Sequence, residues 1–287
     1  MDGGKTCRRL TAILFQCSPT SVPQGVSAGY NKRERMLQDE MCRHGRFLFR
    51  YRTYLPLVLV PFGIWQLSYY HRYVGGSHVY DTMWDFACFG IALLGSMIRF
   101  VSAGYAQAGT SGRNTSAGQV ADALNTKGMY SLVRHPLYLG NIVMYTAALL
   151  FTKSPWFALA GCLGLVLYYE RIIATEENYL REKFGTSLDT WADATPCLIP
   201  KFSGWVKPTL NFSVLAGLRS EFYSVVGIVV AFYILDLVEH YFVEGVFRAD
   251  TIWNVLLAVS IVSFFVLRFL RKNTHLLEPK DRRFEAA

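Results

Sequence analysis

Six apolar stretches, each separated from the next by polar or charged residues, constrain this chain more than any other feature. An α-helix rises about 1.5 Å per residue, so a hydrocarbon core of about 30 Å needs roughly 20 mostly apolar residues to cross it. Candidates lie at 54–70, 83–105, 137–151, 155–173, 221–242 and 251–270. The third is short, and only Thr152, Lys153 and Ser154 separate it from the fourth, so these two are expected to form a tight antiparallel helical hairpin. Charged residues make up 17% of the 287-residue chain, against roughly 25% in a soluble domain. The expected fold class is all-α, a polytopic membrane protein with about six transmembrane helices. No internal repeat is evident.

The placement of the basic residues orients the spans. Lys and Arg concentrate on the cytoplasmic side of membrane proteins. Seven lie in 31–52, three between spans two and three, six in 171–220 and six from Arg268 onward. The alternate loops carry only Arg72, Lys153 and Arg248. An even number of spans with both termini cytoplasmic fits this distribution. A multi-pass protein of a bacterial inner membrane is the expected location, with the endoplasmic reticulum membrane as the alternative. The net charge of +8 is then accounted for by contact with anionic lipid head groups, without nucleic acid.

Six cysteines, at 7, 17, 42, 88, 162 and 197, form no CxxC and no Cys/His cluster at zinc spacing, so neither a disulfide framework nor a metal site is expected. Cys88 and Cys162 fall in apolar runs and read as small core residues. Residues 1–30 have a basic start and a short apolar run, too short for a secretory leader with a cleavage site; a mobile or surface-lying segment is expected there.

Two polar segments stand out against this background. Residues 106–136 are small, polar and rich in glycine (Gly109, Gly112, Gly118 and Gly128), as suits either close backbone approach to a ligand or a flexible linker. They end in GMYSLVRHPLYLGN, where Arg134, His135 and Pro136 open an otherwise apolar span. Pro136 is suited to the first helical turn. Residues 168–200 carry the fourth span's helix out of the membrane. Glu170 and Glu177 share one face, Leu180 and Phe184 form an apolar stripe, and Gly185 is a C-cap candidate. By pattern alone this is also what a solvated amphipathic helix looks like.

Taken together, G-x-Y-x-x-V-R-H-P-x-Y-x-G at 128–140 and E-E-x-x-L-x-x-x-F-G at 176–185, followed by Trp191 and the prolines at 196 and 200, resemble the integral membrane methyltransferases typified by isoprenylcysteine carboxyl methyltransferase, with phospholipid methyltransferases as relatives. The resemblance covers about 125–200. It implies S-adenosylmethionine as cofactor, with S-adenosylhomocysteine as product, enclosed by Tyr130, Val133, Arg134, His135, Pro136, Tyr138, Gly140, Glu176 and Glu177. Carboxylates suit the sulfonium and ammonium of that cofactor, aromatic walls its adenine, and Arg, His or backbone N–H groups its carboxylate.

Four regions follow: an N-terminal interfacial segment, 1–53; the first two spans, 54–105; a methyltransferase core, 106–205; and two further spans with a basic tail, 206–287. The resemblance implies a lipid substrate in the bilayer and no obligate protein partner. The further spans, and Asn141 where an aromatic is usual after the motif glycine, point away from a prenylcysteine carboxylate and toward a lipid phosphate of the lipid A type. The prenylcysteine carboxylate stays as one alternative. A sterol-type reductase using a reduced nicotinamide dinucleotide phosphate is another, since it shares the R-H-P-x-Y-x-G signature but has a basic second motif. Arg99, Arg134 and Arg171 are the candidates to hold an anionic acceptor, because the guanidinium fork binds oxyanions bidentately. Arg99 could equally reach the nearby interface as a snorkel, and Asp236, Glu239 and His240 are expected on a solvated outer rim.

Overall fold

The computed structural model describes residues 31–274, apart from 53, 70–71, 108–112, 116–117 and 121–122. The expectations for residues 1–30, for Gly109 and Gly112 and for the chain beyond 274 lie outside the described residues. Helix α1 spans Asn31–Arg50. A 3-10 turn, Leu55–Val58, runs into α2, Leu59–Leu67. Helix α3 is His78–Tyr105, α4 Met129–Leu132, α5 Pro136–Phe151, α6 Pro155–Phe184, α7 Thr186–Ala194, α8 Val214–Glu244 and α9 Thr251–Asn273. A ribbon of β1 (Arg113–Thr115) and β2 (Gly118–Val120), antiparallel with Asn114 opposite Gln119, is the one pair of β-strands among the described residues.

The protein is an all-α polytopic membrane protein. All six apolar stretches are helical, but four (α3, α6, α8 and α9) are long and apolar enough to cross a bilayer by themselves. The other two are shorter, at Leu55–Leu67 and Pro136–Phe151. Pro56 and Pro61 explain the first: a ring without an N–H favours an early turn and limits a continuous ladder. Sixteen residues of α5 reach only about 24 Å.

Helix α3 lies at the centre, packed between α5 and α8, with α9 against α8, α6 against α5 and α1 along α6. The α3–α5 crossing is close because glycines face each other. A Cβ on Gly140 would lie 2.5 Å from Arg99 Cγ and 2.6 Å from the Gly95 carbonyl oxygen. We expect Gly140→Ala to cost about 1–3 kcal/mol through overpacking, read as a lower midpoint of thermal unfolding in detergent; an unchanged midpoint would contradict this crossing.

The hairpin forms as expected. Pro155 occupies the first turn of α6, and Ser154 caps it by accepting from Phe157 N. Gly185, at φ 54° and ψ −130°, a combination essentially confined to glycine, separates α6 from α7. Asp236, Glu239 and His240 are buried, not on a solvated rim. Lys153 at the hairpin tip reaches Asp81 at 2.7 Å, Asp85 at 3.4 Å and also Glu239, tying the hairpin to α3 and α8. A charge at the end of a span reads in sequence as exposed; here three carboxylates from two helices gather around one ammonium.

Candidate functional site

The site is assembled where the chain enters and leaves the hairpin. Residues 128–135 and 196–206 run side by side: Gly128 N donates to Val206 O, Lys201 N to Leu132 O, Arg134 N to Pro196 O and His135 N to Cys197 O. Each segment of this pairing satisfies backbone groups of the other. Trp191 Nε1 donates to Tyr130 O at 3.1 Å, adding α7 to the same wall.

Arg134 and Glu177 form its foundation. Arg134 Nε donates to Glu177 Oε1 at 2.8 Å, and Nη1 donates to the carbonyls of Ala192 and Thr195 at 2.8 and 3.0 Å. The guanidinium therefore satisfies the C-terminal carbonyls of α7, where the helix dipole also favours a cation. His135 Nε2 lies 3.0 Å from the same Glu177 oxygen. A carboxylate can only accept, so this nitrogen carries the proton. The pair is buried on both sides, at 9% and 6% side-chain exposure, and a buried pair of this kind fixes geometry more reliably than it adds stability.

Above this foundation lies a cavity of about 650 Å³, within the usual range for small-molecule sites. Tyr130, His135, Tyr138, Glu176 and Trp191 line its polar end. The Tyr138 hydroxyl donates to Glu176 Oε2 at 2.7 Å and accepts from Arg52 Nη1 at 3.3 Å. His135 and Tyr138 stack with ring centroids 5.7 Å apart. Burial, with the neighbouring Glu176 carboxylate adding to it, pushes the Tyr130 phenol well above its ordinary range, so it stays neutral. The cavity continues to Arg99, Asn141 and Tyr145, then to an apolar wall of α8 formed by Gly227, Ile228, Ala231 and Phe232.

Of the residues singled out in sequence, the cavity thus gathers Tyr130, Arg134, His135, Pro136, Tyr138, Glu176 and Arg99. Glu177 lies beneath it, held by Arg134 and His135. Val133 is fully buried in the packing below, and Gly140 serves the α3–α5 crossing. Arg171 lies outside the lining and donates back along its own helix to Leu167 O. Arg99 does not snorkel: it holds Glu221 of α8 through Nε and Nη2 at 2.7 and 2.9 Å, and Asn141 Oδ1 through Nη1 at 2.6 Å. Asn141, read in sequence as a departure, is therefore the partner that fixes Arg99. Glu221 and Arg52 were not legible, because nothing local in their segments marks them as facing the motif.

The helices described define a polytopic membrane protein, and the cavity between them has a lining that runs from polar to apolar. Residues 86–187, from α3 through the hairpin to the start of α7, match the family model of phospholipid methyltransferases, which supports the resemblance read from the two motifs. The chain is also similar to the cobalt-zinc-cadmium resistance protein CzcN of Cupriavidus metallidurans, at 29% identity over 55% of this chain and 67% of that protein. It is 30% identical to the nickel-cobalt-cadmium resistance protein NccN of Alcaligenes xylosoxydans xylosoxydans, over 45% of this chain and 57% of that protein. No solved structure matches.

Proposed function

We propose that the protein is an S-adenosylmethionine-dependent methyltransferase that methylates an anionic oxygen of a lipid head group, a lipid phosphate being the acceptor favoured, at the cytosolic face of the membrane. The observation that carries this reading is the continuity of one cavity from the Glu176–Tyr138 end to the α8 wall. The residues fit the cofactor. Glu176 offers a carboxylate in the cavity for a sulfonium or ammonium, Tyr130, Tyr138 and Trp191 offer aromatic faces, and the volume is that of a small-molecule site.

When bound, the cofactor supplies an electrophilic methyl group. The chain's own task is then alignment and exclusion of water, and positioning of this kind contributes on the order of 7–11 kcal/mol to lowering a barrier. A phosphate or carboxylate acceptor is already ionised at neutral pH, so no general base is needed. Arg99 is placed to orient it. Its Nε and one N–H on each terminal nitrogen are committed to Glu221 and Asn141, leaving the second N–H of each terminal nitrogen for an oxyanion. The Glu221 carboxylate tempers the positive charge, so the acceptor is held without its nucleophilicity being quenched. The wall of α8 takes the acyl or prenyl chain.

Total lipids from cells with and without the protein, compared by mass spectrometry, test the acceptor: a species heavier by one methylene that has lost a negative charge is the expected product. Thermal shifts with S-adenosylmethionine and with a reduced nicotinamide dinucleotide phosphate test the cofactor; stabilisation by the latter alone would sink the proposal. Glu176→Gln keeps the hydrogen-bond acceptor for Tyr138 and removes only charge. It is expected to weaken S-adenosylmethionine binding about 10- to 100-fold, as loss of a charge-assisted contact does, with little change in melting temperature.

A further inference from the structure

At the end of the bundle opposite the cavity, three ligand-bearing side chains converge from three helices: His78 in the first turn of α3, His240 in the last turns of α8 and Asp250 at the N-cap of α9. His78 Nε2 lies 3.3 Å from Asp250 Oδ1, and His240 Nε2 lies 3.5 Å from the same oxygen. The two imidazole rings are 5.5 Å apart between centroids.

His240 shows what belongs between them. Its Nδ1 is 3.0 Å from the Asp236 carbonyl oxygen, which can only accept, so Nδ1 carries the proton and Nε2 presents a lone pair. That Nε2 has no hydrogen-bond partner although the residue is only 2% exposed. It faces a carboxylate, another acceptor. Two acceptors directed at one another, one of them fully buried, need a cation between them. A proton would draw nitrogen and oxygen to hydrogen-bond distance, about 2.7–3.2 Å, and both separations are longer. They match instead the edge of a tetrahedron around an ion with bonds of about 2.0–2.1 Å, an edge of about 3.3–3.4 Å.

We propose that His78, His240 and Asp250 bind a divalent transition-metal ion of the zinc, cobalt or nickel class, with the fourth position left to water. Two imidazoles and one carboxylate suit that class better than magnesium or calcium, which take mainly oxygen. The supporting contacts are those such sites use: the Asp236 carbonyl orients His240, Asp236 Oδ2 accepts from Asp250 N at 2.9 Å, and Thr82 Oγ1 lies 3.4 Å from Asp250 Oδ2. The His78 side chain, 40% exposed, provides the way in. Neither of the other acidic or thiol-bearing clusters offers this. Asp81, Asp85 and Glu239 already surround the Lys153 ammonium. Cys197 beside His135 and Glu177 is a poor ligand, because burial above all, and then Glu177, push its thiol up to about 12.

The test is cobalt(II) titration of the purified full-length protein in nanodiscs after chelation, followed by visible absorption and zinc competition. One equivalent with a tetrahedral-type spectrum is expected, together with a metal-dependent rise in melting temperature. His78→Ala, a change at an accessible position, should weaken binding by about 100-fold or more and abolish the melting shift. His240→Gln should do the same, while Cys197→Ser should leave binding intact. Failure of the wild type to bind a stoichiometric ion, undiminished binding by His78→Ala, or loss of binding in Cys197→Ser would each overturn the assignment.

Discussion

Glu177→Ala is expected to lower stability by about 3–5 kcal/mol and to abolish methyl transfer. The reason is what it leaves behind. Arg134 would keep a buried guanidinium with only the carbonyls of Ala192 and Thr195 to answer it, and removing one member of a buried pair typically costs this much. His135 would lose its orienting acceptor at the same time. Thermal unfolding in detergent and transfer of labelled methyl to a lipid extract measure the two effects. The double variant Glu177→Leu, Arg134→Met replaces the pair with apolar volume and should regain part of the stability without regaining activity. A single alanine variant that melts with the wild type would show that the pair is not the foundation of the site.

Arg99 is the position with the second large effect, and there the structural and the chemical roles can be pulled apart. Arg99→Ala strands Glu221, which is 2% exposed, so a loss of about 3–5 kcal/mol is again expected. Arg99→Gln combined with Glu221→Gln exchanges the ion pair for a neutral amide pair, which should recover much of the melting temperature. If Arg99 orients an anionic acceptor, methyl transfer in this double variant stays at least about 100-fold below wild type, as when an oriented charge-assisted donor is removed from an active site. Near-normal transfer would confine Arg99 to holding α3 against α8.

The apolar helices and the hairpin were legible in sequence because both depend on local pattern: apolar length, a three-residue connection, and glycine where α6 must stop. The motif residues Tyr130, His135, Tyr138 and Glu176 could be picked out through the family resemblance, whose two motifs are short contiguous segments. What could not be read were distances between segments. Arg99 seemed free to snorkel because its partner, Glu221, lies on a helix more than a hundred residues later. Glu176 and Glu177 were both expected around the cofactor, yet successive residues on a helix point about 100° apart, so one faces the cavity and the other the foundation. The polar residues of α8 were read as a rim because sequence position gives depth along the helix, not which side faces other helices.

The backbone pairing of 128–135 with 196–206 bears on how the protein is made. The two halves of the site wall lie on either side of the hairpin, and Glu221 comes later still. During synthesis, the segment containing His135 and Tyr138 leaves the ribosome well before its partners. The wall can close only after both arms of the hairpin have entered the bilayer and the chain has been made past residue 206. Arg99 acquires its counter-ion only as α8 inserts. A nascent or truncated chain that stops short of α8 would hold the complete pair of sequence motifs and still lack the finished site.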